Sequence, residues 1–125
     1  MSKKAIEHRE NKKYIGTHIV ADFWGCRYKE DPAELLSLLI EAANVSNAEV
    51  LDTAVHDFTP GGITAILLLA ESHISIHTWP EYNFVAIDVF TCGHDMEPRL
   101  AIQHLEKKLK PSETLTRIIK RGEIN

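Results

Sequence analysis

The strongest constraint on this chain is an apolar run that leads straight into chemically reactive residues. Ile63 to Ala70 is apolar apart from Thr64. It is followed at once by Glu71-Ser72-His73-Ile74-Ser75-Ile76-His77-Thr78-Trp79-Pro80-Glu81. Hydroxyls, imidazoles and carboxylates stand where a buried strand would continue in hydrocarbon. A fold that keeps such residues beside its core departs from local consistency, and such departures mark functional sites. In extended backbone His73, Ser75 and His77 share one face, while Ile74 and Ile76 share the other.

The rest of the chain supplies the frame. His18 to Trp24 reads as a first strand, and Tyr28 to Asp31 as a loop. Asp31-Pro32-Ala33-Glu34 is a helix start: an Asp cap, Pro in the first turn, and a Glu placed to bond back to the cap's N–H. Leu35, Leu36, Leu39, Ile40 and Ala43 then repeat at helical spacing. Glu49 to Phe58 alternates like a strand, and Thr59-Pro60-Gly61-Gly62 is a turn. Ile63 to Ala70 reads as a central strand. Tyr82 to Cys92, rich in Val, Ile and Phe, reads as another that closes at Thr91-Cys92-Gly93. A second helix is expected from about Asp95–Pro98 to Lys108, lined by Leu100, Leu105 and Leu109, with Lys107, Lys108 and Lys110 favouring its C-terminal end. Thr114 to Ile119 is the last strand, and the polar residues 1–13 are expected to fray.

The order β-α-β-β-β-α-β predicts an α+β fold: a two-layer α/β sandwich with both helices on one face of a mainly antiparallel sheet. The other sheet face then needs solvent or a partner. At 125 residues this is one domain, 1–125. The net charge of −4 speaks against a nucleic-acid surface. No apolar run approaches a membrane span. Two cysteines, Cys26 and Cys92, do not make a disulfide framework, and the charged start lacks the apolar stretch of a signal peptide. A cytoplasmic protein with reduced thiols is expected.

Each reactive residue also has an ordinary reading. His73, Ser75 and His77 fit the exposed face of a half-buried strand. A zinc pair from His73 and His77 requires a helix, because four strand residues span about 13 Å; no metal is expected. A Ser/His hydrolase lacks the G-x-S-x-G elbow around Ser72. Cys92 could be a small buried hydrophobe, or a thiol activated by the helix terminus near Asp95. Phe58 and Trp79 could be core edges, or two walls of a slot for a planar ring.

Glu71 to Tyr82, together with Asp88-Val89-Phe90-Thr91-Cys92-Gly93 and the opening Gly16-Thr17-His18-Ile19-Val20-Ala21-Asp22-Phe23, closely resembles the short prokaryotic S-adenosylmethionine decarboxylase proenzymes, which are pyruvoyl-dependent. The resemblance implies self-cleavage between Glu71 and Ser72. Residues 1–71 become the β chain and 72–125 the α chain, and the pyruvoyl cofactor is made from Ser72. It implies that His77 handles protons in processing, with the hydroxyl of Thr64 in support where relatives often carry Ser. It further implies that Cys92 donates the proton after decarboxylation, that Phe58 and Trp79 sandwich adenine, and that Glu81 accepts from the ribose. The substrate would be S-adenosylmethionine and the product the aminopropyl donor for spermidine synthesis. A homodimer with stacked sheets, α/β/β/α, would cover the open face. The alternatives are an arginine or ornithine decarboxylase on the same fold and a non-catalytic regulatory homologue.

Overall fold

The computed structural model describes residues 13–92 and 95–124. The elements are β1 (Lys13–Trp24), α1 (Pro32–Val45), β2 (Val50–Asp57), β3 (Ile63–Leu69), β4 (Ser72–Trp79), a 3-10 turn (Pro80–Tyr82), β5 (Phe84–Thr91), α2 (Pro98–Leu109) and β6 (Glu113–Ile124). The six strands form one antiparallel sheet in the order β2-β3-β4-β5-β1-β6. The α+β class and the helix-covered sheet are as expected. The strand count rises from five to six, because Ser72–Trp79 pairs on both sides and is a strand in its own right.

Local chemistry sets the boundaries. Asp31 caps α1, its Oδ2 accepting from the Glu34 N–H at 3.0 Å. The expected return bond from Glu34 is replaced: the Asp31 N–H donates to the Lys29 carbonyl at 2.9 Å. β5 starts at Phe84 instead of Tyr82, because the 3-10 turn ends at Asn83 in a left-handed conformation, φ 52°. β1 and β6 run longer than their apolar stretches, since each extends the other from Lys13↔Ile124 to Trp24↔Glu113. The fraying expected for residues 1–13 falls, Lys13 apart, outside the described residues, as does Gly93.

Strand alternation builds the core. Ile19, Ala21 and Phe23 of β1, Ala65 and Leu67 of β3, Ile74 and Ile76 of β4 and Val85 and Val89 of β5 are buried against the helices. α1 contributes Leu35, Leu39, Ala42 and Ala43. α2 contributes Ala101, Ile102, Leu105 and Leu109; Leu100, expected on that side, is exposed, because positions 101, 105 and 109 share a stripe and 100 does not. Among the described residues no helix covers the opposite sheet face. Ile66 and Leu68 of β3, Trp24, Trp79, Leu115 and Ile119 are exposed hydrophobics on it.

Candidate active site

The β3–β4 hairpin turns through only two residues, Ala70 and Glu71, between the paired Leu69 and Ser72. Glu71 takes φ 61°. A side chain in that left-handed region costs roughly 1–2 kcal/mol, and nothing about Glu favours it. The turn is fixed from several directions. Ala70 N–H donates to the Glu49 carbonyl at 3.1 Å. Ser72 Oγ donates to the Ala70 carbonyl at 3.1 Å. The Cys92 thiol donates to the Glu71 carbonyl oxygen. Cys92 arrives there because Ser72 pairs with Thr91, which puts the next residue beside the turn. Its partner is thus a carbonyl and not the terminus of α2, which begins six residues later at Pro98. Glu71, Ser72 and Cys92 line a cavity of about 310 Å³ together with Asn47, Glu49 and Met96. Cys26, the other free cysteine, is buried under the sheet, and burial pushes its thiol pKa up to about 11, which leaves it inert.

Thr64 and His77 form a second group. They are register partners on β3 and β4, and Thr64 Oγ1 lies 3.0 Å from His77 Nδ1. Both project from the open face. His77 stands five residues along β4 from Ser72, or about 17 Å at strand rise. The aromatics belong to the same far end. Trp79 packs on Phe84 with ring centroids 5.4 Å apart and lies 6.2 Å from the His77 ring. Phe58 follows β2, its ring 4.4 Å from that of His56. Its turn is closed by Phe58 N–H to the Gly62 carbonyl at 2.8 Å. Gly62 is required there, because at φ 106° an added Cβ would stand 2.1 Å from the Thr78 carbonyl oxygen. Glu81 is exposed on the 3-10 turn, two residues past Trp79.

A third group was not singled out as a unit in the sequence. Asp88 on β5 collects His18 of β1 (Nε2 to Oδ2, 2.8 Å), His73 of β4 (Nε2 to Oδ2, 3.0 Å) and the Ser75 hydroxyl on Oδ1. Burial raises the Asp88 pKa; the hydrogen bonds from Ser75, His73 and His18 outweigh it and hold the carboxyl below its ordinary 3.8. The two imidazoles and the carboxylate place one ligand atom each within 4.8 Å of one another, close enough to invite a metal. The outer ring nitrogen of His18 argues otherwise. Its Nδ1 faces Arg121 Nη1 at 3.3 Å, and a guanidinium only donates. His18 therefore accepts at Nδ1 and carries its proton on Nε2, the atom a metal would need. The cluster is a hydrogen-bonded anchor for a carboxylate.

A family model described as S-adenosylmethionine decarboxylase matches residues 17–122. The S-adenosylmethionine decarboxylase proenzyme of Methanococcus maripaludis strain S2 is 42% identical over 115 residues, covering 90% of this chain and 94% of that protein. S-adenosylmethionine decarboxylase proenzyme 2 of Bacillus anthracis is 46% identical over 110 residues, covering 86% and 89%. The crystal structure of the adenosylmethionine decarboxylase from Aquifex aeolicus VF5 superposes with a TM-score of 0.83 at 35% identity, covering 90% of this chain and 95% of that one.

Proposed function

The chain belongs to the S-adenosylmethionine decarboxylase family, and from that premise we propose that it cuts itself between Glu71 and Ser72 and uses the pyruvoyl group so formed to decarboxylate S-adenosylmethionine. The observation that carries this reading is the scissile turn: a left-handed Glu71 whose carbonyl lies under the Cys92 thiol, followed directly by Ser72. Ser72 Oγ adds to the Glu71 carbonyl carbon, and the C–N bond breaks as the acyl group moves to oxygen. The Cys92 S–H, already donating to that carbonyl oxygen, stabilises the charge it gains. Loss of the residue 72 α-proton breaks the Cβ–Oγ bond and frees the Glu71 carboxylate; water then replaces the nitrogen, which leaves as ammonia. Residues 1–71 and 72–125 become separate chains. The residues around the turn thus fit a pyruvoyl group at position 72.

The pyruvoyl carbonyl serves as the electron sink for loss of CO₂. The chain's own residues do the rest. Cys92 Sγ, beside residue 72, returns a proton to the carbon that loses CO₂. Phe58 and Trp79 flank the adenine, and Glu81 accepts from the ribose hydroxyls. The product is the aminopropyl donor for spermidine synthesis.

One chain alone leaves His77 about 17 Å from Ser72. The reading therefore includes a homodimer. A two-fold partner on the open sheet face, turned about an axis crossing the strands, sets the His77 end of one sheet against the Ser72 end of the other. Thr64 and His77 of one copy then serve Ser72 and Cys92 of the second. The same stacking covers Ile66, Leu68 and Ile119, which one chain leaves exposed. Among the described residues no helix is long and apolar enough to cross a membrane; the free Cys26 and Cys92 support a reducing, cytoplasmic setting.

The test is intact mass followed by turnover. Purified protein is expected as two fragments cut at 71/72, the second carrying a pyruvoyl terminus, with CO₂ released from carboxyl-labelled S-adenosylmethionine. A chain that decarboxylates while whole, or that releases CO₂ from arginine or ornithine instead, overturns the reading.

A further inference from the structure

The cluster around Asp88 lies outside the residues given a chemical role above, yet one of its members is covalently next to the nucleophile. His73 follows Ser72 directly. Its ring stands on the open face beside Phe90, centroids 5.9 Å apart, and meets the His18 ring edge-on at 6.1 Å. Its Nε2 reaches Asp88 Oδ2, and Asp88 is itself held from the other side by His18 and from β4 by Ser75. Asp88, on β5, is thus held by side chains from both neighbouring strands, β1 and β4, and His73 ties the first residues of β4 to that fixed point.

That tie has a particular consequence at this place in the chain. Before cleavage the turn at Glu71 is strained, and strain relaxes toward whichever side yields. The upstream side is held by Ala70 N–H on the Glu49 carbonyl. The downstream side begins at Ser72, whose hydroxyl is engaged with the turn itself. The first side-chain anchor beyond the bond is His73. After cleavage, residue 72 is a chain terminus, and strand ends fray. A reactive carbonyl there needs its first neighbour held.

We propose that His73, through Asp88, is the positioning residue for position 72: it keeps the Ser72 hydroxyl in line for attack and later keeps the pyruvoyl terminus in register beneath Cys92. The inference rests on the cleavage reading above and assigns a role to a residue that does not itself touch the reacting atoms.

The experiment compares wild type, Ser72→Ala, His73→Ala, His73→Gln and His18→Ala for cleavage rate by intact mass, for kcat and KM of the processed fraction, and for thermal midpoint. His73→Ala is expected to slow cleavage and to lower kcat by roughly tenfold or more, the scale of small misplacements at a reacting centre, with KM within about twofold. His73→Gln, whose amide can donate to Asp88, restores most of both. His18→Ala removes an equivalent ring from the same carboxylate but leaves β4 tethered, and stays within about threefold of wild type. The anchor is overturned if His73→Ala keeps pace with wild type, if His73→Gln is no better than His73→Ala, or if His18→Ala falls as far, which would assign the effect to the fold as a whole. An uncut wild type, or a Ser72→Ala chain that still splits, overturns the cleavage reading and this one with it.

Discussion

Thr64 Oγ1 and His77 Nδ1 lie 3.0 Å apart on neighbouring strands, at the end of β4 remote from Ser72. The residues proposed for one reaction thus sit in two groups on a single chain. In the dimer proposed above, a stacked pair of chains builds the complete site twice.

Complementation reads this arrangement directly. His77→Ala and Ser72→Ala chains are each expected to stay whole when made alone. Coexpressed with distinguishable tags, the His77→Ala chain should be cut, because it keeps its own Ser72 and receives His77 from its partner. Intact-mass analysis of the mixture checks this. Cutting of His77→Ala chains on their own would rule out the shared site.

The Thr64 hydroxyl fixes the His77 ring through a single hydrogen bond. Thr64→Val keeps the shape and removes the bond, which is worth about 1 kcal/mol, so cleavage should slow about fivefold. Thr64→Ser should stay near wild type. Time courses of precursor loss distinguish the two.

Glu71 gives the turn a strained residue at the proposed cleavage bond. Glycine takes a left-handed φ without the Cβ penalty, so Glu71→Gly should relax the precursor. The gain, on the order of 1 kcal/mol, is partly offset by the looser unfolded chain. Cleavage is expected to slow severalfold with little change in urea midpoint. An unchanged cleavage rate would show that the strain plays no part.

Asp88 sets a pH dependence. Its folded pKa lies below the ordinary 3.8. The carboxylate therefore contributes stability that is fully present above that value and is lost as pH falls through the folded pKa. Urea unfolding of wild type and Asp88→Asn between pH 7 and pH 2 should show a wild-type advantage that is constant at the upper end and vanishes at the lower. An advantage that grows on acidification would contradict the sign.

Much of this was legible because it is local. The Asp31 cap and Pro32 announce α1 within four residues, and alternation of Ile74 and Ile76 with His73, Ser75 and His77 announces the two faces of β4. The strand count was not legible, because the turn at Ala70–Glu71 contains none of the Gly, Pro, Asn or Asp that mark turns. The Asp88 cluster escaped for a different reason. His18 and Asp88 are 70 residues apart, and only the placement of β1 beside β5 joins them. The two-ended site follows from strand arithmetic: the spacing that parts His73 from His77 parts Ser72 from His77 further still. The roles of Glu71, Ser72 and Cys92 came from resemblance, since no periodicity distinguishes a serine that is consumed from one that is exposed.

The strand order carries a final consequence. A cut at 71/72 gives β1, α1, β2 and β3 to one fragment and β4, β5, α2 and β6 to the other. Across the sheet the fragments alternate, with β2 and β3 beside β4 and β5, and then β1 threaded between β5 and β6. The severed halves are woven together, and pulling them apart means tearing three ladders. Such a weave cannot be assembled by docking two finished pieces. Under the proposed cut the chain must fold while it is still whole, because the backbone bond that the cut removes is the one that allows the weave to form.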